Sequence, residues 1–229
     1  MARKFSTGLR NMLLGNKPSV TGTDIAGVST NTITQVASLL GVFQPGDVLL
    51  ISGSSEAANN DYNLVVSVNA AGASMVMTNA ITTDTAGDPW ILTAMPKGFR
   101  QIFTYGILEI RSGAQPADAD AAETGTLLAR ITVSSAAVVP GVLTNGLLWA
   151  APSGDDIAKT GTWSGTVLAD GTAGWFRFYT NMYKTGASTS AIRFDGSCGT
   201  SGAQLIMSTT NLVTGAPLTI DTFVVSMAA

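Results

Sequence analysis

The sequence contains no histidine and a single cysteine, Cys198, and these two absences remove much of the chemistry that enzymes use. Without histidine, Ser-His-Asp and Cys-His constellations cannot form, and neither can a histidine-ligated metal site. With one cysteine, the chain can form neither an internal disulfide nor a thiolate metal cluster. We therefore predict no catalytic residue, no cofactor and no metal site, and we expect a protein that is not an enzyme.

Two carboxylate pairs remain as candidates for acid-base chemistry, Asp118 with Asp120 and Asp155 with Asp156. A glycosidase needs two carboxylates across a sugar site, one of them in an apolar setting that raises its pKa. The loop AQPADADAAET (114–124) offers no such setting, so we interpret its charges as solvated. Bound calcium stays open for residues 118–123 and for 59–61, although both lack EF-hand spacing and the second is typical of a hairpin turn.

Charge is also scarce, since charged residues make up 12% of the chain, about half the usual share. The net charge of -3 and the scattered basic residues argue against nucleic acid as a partner. A small-molecule ligand is not expected either. A surface of small neutral residues suits contact with other proteins, because interface cores are likewise depleted in charge. An extracellular β protein with a Ser/Thr-rich exterior is the alternative interpretation.

Long hydrophobic runs are missing as well. No stretch of about 18 apolar residues occurs, so no membrane contact is predicted. The apolar run Met12–Leu14 is too short for the core of a signal peptide. We therefore expect the protein to fold in the cytoplasm of the cell that makes it.

The segment 4–14 is the one clear helix candidate, because its apolar residues recur at helical spacing. Gly15 is a plausible stop, and Pro18 prevents continuation. The apolar face consists of Phe5, Leu9, Met12 and Leu13. We predict that these residues anchor the chain on a neighbouring subunit, with Arg3, Lys4 and Arg10 as a charged rim. Docking of the same face on the chain's own β domain is the alternative.

The rest of the chain alternates short β-type runs with Gly, Asn and Ser turns, which predicts an all-β protein. Strands at 47–52, 62–68 and 74–78 favour a small antiparallel barrel or meander. After residue 98, regularly spaced strands favour a β-sandwich resembling a jelly roll. Within it, Trp175–Tyr179 has large apolar residues on both faces and should be a central, covered strand.

The four tryptophans lie in or beside predicted strands, where packing is their usual role. Trp163 is the one that we consider as a ligand-facing aromatic. An adhesion module, which would bind a host surface glycan or protein through such residues, is the alternative function.

Several strings resemble a family of tailed-bacteriophage virion structural proteins of poorly defined role. They are KFSTGLRNMLLG (4–15), IRSGAQPADADAAETGTLLARITV (110–133), TWSGTVLADGTAGWFRFYT (162–180) and TGASTSAIRFDGSCGTSGAQLIMS (185–208). In similar proteins the opening helix runs almost directly into the strand that ends in SG. Here residues 17–97 intervene, with a GDVxxISGS pattern (46–54) that resembles a small β module of phage proteins.

The resemblance implies a host β-sandwich of residues 1–16 plus 98–229 and an inserted small β domain of residues 17–97. It also implies a non-enzymatic structural subunit of the virion, either a capsid decoration or cement protein or a head-tail or tail component. The expected partners are other virion proteins, such as the major capsid protein or tail and neck proteins, together with further copies in a homo-oligomer.

Overall fold

The computed structural model describes residues 3–15, 17–28 and 30–226, and nearly all of their regular structure is β. The strands are β1 (Lys4–Phe5), β2 (Ser19–Gly22), β3 (Ile25–Val28), β4 (Thr30–Gln35), β5 (Val48–Ser52), β6 (Tyr62–Val68), β7 (Ser74–Ile81), β8 (Trp90–Ala94), β9 (Ile107–Ser112), β10 (Leu127–Val133), β11 (Leu148–Trp149), β12 (Asp156–Thr160), β13 (Trp163–Thr166), β14 (Gly171–Tyr179), β15 (Arg193–Gly199), β16 (Leu205–Ile206), β17 (Asn211–Leu212), β18 (Pro217–Ile220) and β19 (Val224–Ser226). The helices are α1 (Thr7–Leu13) and α2 (Phe99–Phe103), and 3₁₀ turns occur at Leu40–Val42 and Ala57–Asn59. The predicted all-β class with a short N-terminal helix is confirmed.

Helix α1 is shorter than the predicted 4–14 because Ser6 caps it. The Leu9 N–H donates to Ser6 Oγ at 3.2 Å, which satisfies one of the free amides of the first turn. Lys4 and Phe5 therefore lie outside the helix, where they form β1 and pair with β15. At the other end Gly15 has a φ of +89°, which suits the predicted glycine stop.

The described residues divide into two compact units. The first comprises 3–11, 99–138 and 144–226, and the second comprises 12–15, 17–28, 30–98 and 139–143. Residues 12–15 and Gly98, which the predicted division assigned to the host domain, lie in the second unit. The same division assigned the segment 139–143 to the host domain, and the structure corrects this. The segment belongs to the second unit because the Gly141 carbonyl accepts the Val68 N–H at 3.0 Å and Val142 bridges to Ser67.

The first unit is built on a nine-stranded sheet with the order β1-β15-β14-β9-β10-β13-β18, with β16 beside β15 and β17 beside β14. A second, three-stranded sheet has the order β11-β12-β19. Residues Trp175–Tyr179 of β14 are buried, and β14 pairs with both β9 and β15. The prediction of a central, covered strand is thus confirmed.

An aromatic cluster fills one side of that sheet. Phe178 and Phe194 lie opposite each other on β14 and β15, and their rings stack with centroids 5.4 Å apart. The further members are Phe99, Phe103, Trp149, Trp163, Phe176 and Phe223. The opposite side of β14 carries Arg177 and Tyr179, so one strand separates an apolar core from a polar one.

The second unit is a seven-stranded antiparallel sheet with the order β2-β8-β5-β6-β7-β4-β3. The two end strands, β2 and β3, follow each other in the chain and are separated by Thr23 and Asp24. The sheet thus returns to the stretch of chain where it began, which makes it nearly a closed barrel. Its interior is apolar, with buried Leu49, Ile51 and Val65.

Candidate functional site

The predicted apolar anchors of the N-terminus pack within the chain's own first unit. The Phe5 ring lies 6.2 Å from Phe194 and 6.4 Å from Phe99, measured between centroids. Leu9 is fully buried. Leu9 is therefore docked on the chain's own domain, as in the alternative, while Phe5 contacts the same domain and is half-buried.

The predicted basic rim is also partly used inside the first unit. The Arg3 guanidinium donates to the Val224 carbonyl at 2.7 Å, and Lys4 Nζ donates to the Pro116 carbonyl at 2.6 Å. Both bonds fasten the N-terminal segment to distant parts of the chain. Arg3 and Lys4 therefore stabilise the fold of the first unit.

The later residues of the predicted interface are more accessible. Arg10 is exposed and donates to Thr7 Oγ1 at 2.8 Å, and Met12 is half-buried. Leu13 is 39% exposed, and Leu14, which follows α1, is 85% exposed. An outward contact by the N-terminus would therefore involve the end of α1 rather than its beginning.

Trp163, the predicted ligand-facing aromatic, is fully buried, and this prediction is corrected. Its ring meets Trp149 edge-on at 5.1 Å and also lies against Phe178 and Phe223. Its indole N–H donates to the Thr160 carbonyl at 3.0 Å. The other three tryptophans are buried as well, so the tryptophans provide no exposed platform for a sugar.

The loop 114–124, interpreted from the sequence as solvated, is tied to the fold by its carboxylates. Asp120 accepts the Thr7 N–H at 2.8 Å and the Thr7 hydroxyl at 2.5 Å, at the N-terminal end of α1. Asp118 accepts the main-chain N–H groups of Asp120 and Ala121, both at 2.9 Å. Asp118 is exposed, in agreement with the interpretation, whereas Asp120 is half-buried and fastens the loop to α1.

Two buried arginines of the sheet, Arg177 and Arg193, bind the same loop. Arg177 and Asp195 form a bidentate pair at 2.6 and 2.8 Å, and both side chains are fully buried. The remaining terminal nitrogen of Arg177 donates to Glu123 Oε1 and to the Ala121 carbonyl, both at 2.9 Å. Each of the three guanidinium nitrogens of Arg177 therefore has a hydrogen-bond acceptor, and two carboxylates are among the acceptor groups.

Arg193 reaches five main-chain carbonyls with distances of 2.7 to 3.2 Å. They belong to Ala119, Asp120, Ala121, Lys184 and Gly186. Carbonyl groups in irregular loops lack the hydrogen bonds of a helix or sheet. The buried Arg193 guanidinium supplies hydrogen bonds to them instead. It therefore fixes two loops, around 119–121 and 184–186, over the sheet.

Glu123 is the anion that joins these groups. Burial alone would raise its pKa, but hydrogen bonds from the Tyr179 hydroxyl, the Gly186 N–H and Arg177 outweigh burial and lower the pKa of Glu123 to about 2. The carboxylate is therefore ionised at neutral pH and unsuited to the role of a general acid.

A second buried carboxylate, Glu109, has its own set of donors. Arg111 and Arg130 approach it at 2.9 and 3.0 Å, and Tyr183 donates to it at 2.6 Å. Burial and this hydrogen bond to Glu109 raise the pKa of Tyr183 to about 12. Together the two carboxylates and their partners form the buried ion network of the first unit, in which the Arg130 side chain is 42% exposed.

The second unit presents a different feature, an apolar patch on the outside of its sheet. Seven large side chains there are 36 to 51% exposed: Val48, Leu50, Tyr62, Leu64, Val66, Ile91 and Met95. Six lie on β5, β6 and β8, and Met95 directly follows β8. We call these seven residues the apolar face.

The strand register brings members of the apolar face together. Val48 lies opposite Leu64, and Leu50 lies opposite Tyr62, on the antiparallel pair β5 and β6. Residues that face each other across strands have Cβ atoms about 5 Å apart, so these four form one continuous block. On the β8 side, Leu50 is opposite Thr93. Val48, Leu50, Tyr62 and Leu64 are therefore contiguous, whereas Thr93 separates Ile91 from Met95 along β8.

The other half of the same sheet has more polar residues outside, although Val28 on β3 is 43% exposed and Val76 on β7 is half-buried. Its outward positions on β4 are Thr32 and Thr34, and those on β7 include Ser74 and Thr78. None of the seven strands of this unit, all within the described residues, contains Lys, Arg, Asp or Glu. Most of the large exposed apolar side chains on these strands thus lie on β5, β6 and β8, and the strands themselves carry no charge. A cluster of exposed apolar side chains without charge on its strands is a candidate surface for contact with protein.

The pattern of short β-type runs predicts strands that carry the apolar face, but it does not single out their outward residues. The available signal was that the runs VLLIS (48–52) and YNLVVSV (62–68) place large apolar residues at odd and even positions alike. A strand with one solvated face normally alternates apolar and polar residues. That departure predicts a second covered face, and the described residues leave this face 36 to 51% exposed.

The polar turn 59–61 is used within the second unit. Asn60 accepts the Ser54 N–H at 3.0 Å and donates to the Ser54 carbonyl at 2.8 Å. Asn59 makes the equivalent pair of bonds with Thr82, at 2.8 and 3.0 Å. Within residues 3–15, 17–28 and 30–226, no group of three or more His, Cys, Asp or Glu residues is placed to hold a metal ion.

Cys198 is half-buried as a residue, and burial raises the pKa of its thiol to about 12. Its thiolate is therefore scarce at neutral pH. No helix in the described part of the chain is long and apolar enough to cross a membrane.

Comparison of the chain with protein-family models, with curated proteins and with solved structures gave no match. Functional inference therefore depends on the geometry of the chain and on its sequence.

Proposed function

We propose that this chain is a non-enzymatic structural subunit of a tailed-bacteriophage particle, which stabilises the particle through repeated protein-protein contacts. It would act as a capsid decoration or cement protein or as a component of the head-tail or tail apparatus. Its partners would be other virion proteins and further copies of itself.

The observation that carries the proposal is the apolar face. Leaving seven large apolar side chains in water is unfavourable by about 25 cal/mol for each Å² that a partner would cover. A free monomer gains nothing from such a surface, whereas a subunit of an assembly recovers that free energy in every copy. Moderate contacts that are repeated many times give strong overall binding.

The ion network supports the non-enzymatic part of the proposal. Glu109 and Glu123 are enclosed by arginine and tyrosine partners, and they fasten loops to the sheet. Catalytic carboxylates are instead held close to a substrate site, with a pKa near the working pH. Fixed loops on a rigid sheet are also what a subunit needs to meet its neighbours in one geometry.

The phage assignment is supported by the resemblance of residues 4–15, 110–133, 162–180 and 185–208 to virion proteins. Four of the charged residues in those strings, Glu123, Arg177, Arg193 and Asp195, lie together in the buried ion network. The resemblance would then reflect a shared way of fixing the loop 114–124.

The test is to purify particles of the phage that encodes the chain and to quantify the chain against the major capsid protein by mass spectrometry. A copy number close to that of the capsid protein supports capsid decoration, and a far lower one supports a neck or tail component. If the chain is absent from particles, the proposal is overturned.

A further inference from the structure

We infer that Arg130 is a binding site for a carboxylate of a neighbouring protein, an Asp or Glu side chain that continues a row of alternating charges across the main sheet of the first unit. This inference rests on the proposed structural function, since it states the chemistry by which a partner would be recognised.

The row follows one line of paired residues across the sheet. Residues in register on neighbouring strands lie on the same face, with Cβ atoms about 5 Å apart. Each charge of the row therefore has opposite charges beside it, and the row begins and ends with a cation. In order, its members are Lys4 on β1, Asp195 on β15, Arg177 on β14, Glu109 on β9 and Arg130 on β10.

The two ends of the row differ in exposure. At the first end, Lys4 Nζ donates to the carbonyl of Pro116, in the loop that covers this side of the sheet. The three middle members of the row are fully buried. At the other end the Arg130 side chain is 42% exposed. Arg130 is thus the point at which another protein can reach the row.

The ion network has one cation more than it has anions. Of its four arginines, Arg130 is the most exposed, and it shares the carboxylate of Glu109 with Arg111. One carboxylate from outside would balance the excess. Nucleic acid is instead bound by clustered cations, and β13 and β18, the strands beyond Arg130, contain none. The ion pairs join Arg111, Arg130, Arg177 and Arg193 to Glu109, Glu123 and Asp195.

The Arg130 side chain is already held in place for binding an anion. Its Nη2 donates to Glu109 Oε1 at 3.0 Å and to the Tyr183 hydroxyl oxygen at 2.7 Å. The Tyr183 ring also packs against it, with the ring centroid 5.0 Å from the guanidinium carbon. The N–H groups on Nε and Nη1 form no hydrogen bond with the described residues. Because the side chain is already ordered, binding an anion costs less conformational entropy.

The surface beyond Arg130 is open and uncharged. The register of β10 and β13 places Thr166 opposite Arg130. Thr166 in turn pairs with Pro217 on β18, and both residues are exposed. Neither β13 nor β18 contains an acidic residue, so these strands do not supply the next anion of the row themselves.

The experiment follows the Arg130 Nε–H signal of the isotope-labelled full chain by nuclear magnetic resonance. The signal is identified by its loss in Arg130→Lys. A tetraglutamate peptide with blocked ends is added at constant ionic strength, because salt screens such contacts. We expect a saturable shift of the signal, which a tetraglutamine peptide should not produce.

Two exposed threonines on the same face provide matched variants. Thr166→Glu places a carboxylate of the chain itself beside Arg130, so it should weaken tetraglutamate binding by about 3-fold or more. Thr219→Glu adds the same charge on β18, opposite Ser164. That position is two strands away from Arg130, roughly 10 Å or more, beyond the screening length of about 8 Å. Thr219→Glu should therefore weaken binding by less than about 1.5-fold. Circular dichroism checks that both variants are folded.

Three results would overturn the inference. They are the absence of a saturable shift, an equal shift with tetraglutamine, and equal weakening by the two glutamate variants. Inorganic sulfate is the further probe. If sulfate saturates the same signal at a lower concentration than tetraglutamate does, the site is for a free tetrahedral anion, and a carboxylate partner is ruled out.

Carbodiimide coupling in purified particles tests the source of the carboxylate. Arg130→Lys places an amine at the site. The carbodiimide activates a carboxylate in contact with it, the two condense to an amide, and the reagent leaves as a urea. We expect a cross-link from position 130 to an Asp or Glu of another virion protein. Coupling only within the chain would overturn the inference.

The outcome is separable from that of the proposed function. If tetraglutamate binds at Arg130 but the chain is absent from particles, the structural role fails and the carboxylate site stands. If the chain is present in particles but tetraglutamate does not shift the Arg130 signal, the inference fails alone.

Discussion

Arg177 and Asp195 lie directly opposite each other on β14 and β15 and form two hydrogen bonds of 2.6 and 2.8 Å, with neither side chain exposed. The pair sits on the side of the sheet away from the aromatic cluster. Because Arg177 also binds Glu123 and the Ala121 carbonyl, it connects the sheet to the loop that covers it. The stability of the first unit should therefore depend on buried charge as well as on apolar packing.

Replacing Asp195 with alanine should lower the free energy of unfolding by about 3 kcal/mol, because it leaves a buried guanidinium without its main anion. Denaturant unfolding followed by tryptophan fluorescence measures the loss. Asp155→Ala, which changes an exposed carboxylate, is the control and should stay within about 0.5 kcal/mol of the wild type. Equal effects of the two substitutions would contradict a structural role for the ion pair.

Glu123 should make the stability depend on acid pH. Its pKa is about 2 in the folded chain and near 4.5 when unperturbed. The stabilisation is therefore complete above about pH 4.5 and is lost as the pH falls toward 2. Asp195 acts in the opposite direction, because burial raises its pKa, so the wild-type curve alone does not isolate Glu123.

The comparison with Glu123→Gln isolates it. We expect the variant to be less stable than the wild type at pH 7, and the difference should shrink steadily between pH 4.5 and 2. Urea unfolding at a series of pH values measures both chains. A difference that is independent of pH over this window would show that the charge of Glu123 contributes nothing.

Trp163→Ala should destabilise the first unit by about 3–5 kcal/mol, since it removes a fully buried aromatic side chain from the cluster around Trp149. Trp163→Phe should lose less, because it keeps an aromatic ring and gives up mainly the hydrogen bond to Thr160, about 1 kcal/mol. Thermal unfolding ranks the two. A Trp163→Ala chain as stable as the wild type would mean that the residue is not part of the core.

Gly141→Ala should destabilise the second unit, because Gly141 has a φ of +82° and an added Cβ would lie 1.8 Å from the Val68 carbonyl oxygen. We expect a loss of about 3 kcal/mol or more, from strain in φ together with the clash. Gly154→Ala is the control, since Gly154 has a φ of +58° and open space around its Cβ position. It should lose only about 1 kcal/mol, and hydrogen exchange locates both effects.

The strand segments were largely predictable because they depend on local composition. Tyr62–Val68 was predicted with its observed bounds, and Trp175–Tyr179 was predicted as a covered strand. The short segments β12 and β17 were missed, since each is defined by its partner in the sheet more than by its own residues. The start of α1 was also predicted too early. Ser6 caps the helix, so Lys4 and Phe5 lie before it although their spacing fits a helix.

By itself, the sequence determined the β character of the chain, its shortage of charge and the absence of histidine chemistry, because these follow from residue types and their periodicity. Only the tertiary structure decided that Trp163 is buried, that Asp120 and Glu123 organise loops, and that 139–143 joins the second unit. Each of these depends on residues far apart in the chain, such as Thr7 with Asp120 and Val68 with Gly141. The apolar face depends on both. The sequence places its residues on strands, and the register of those strands brings them together.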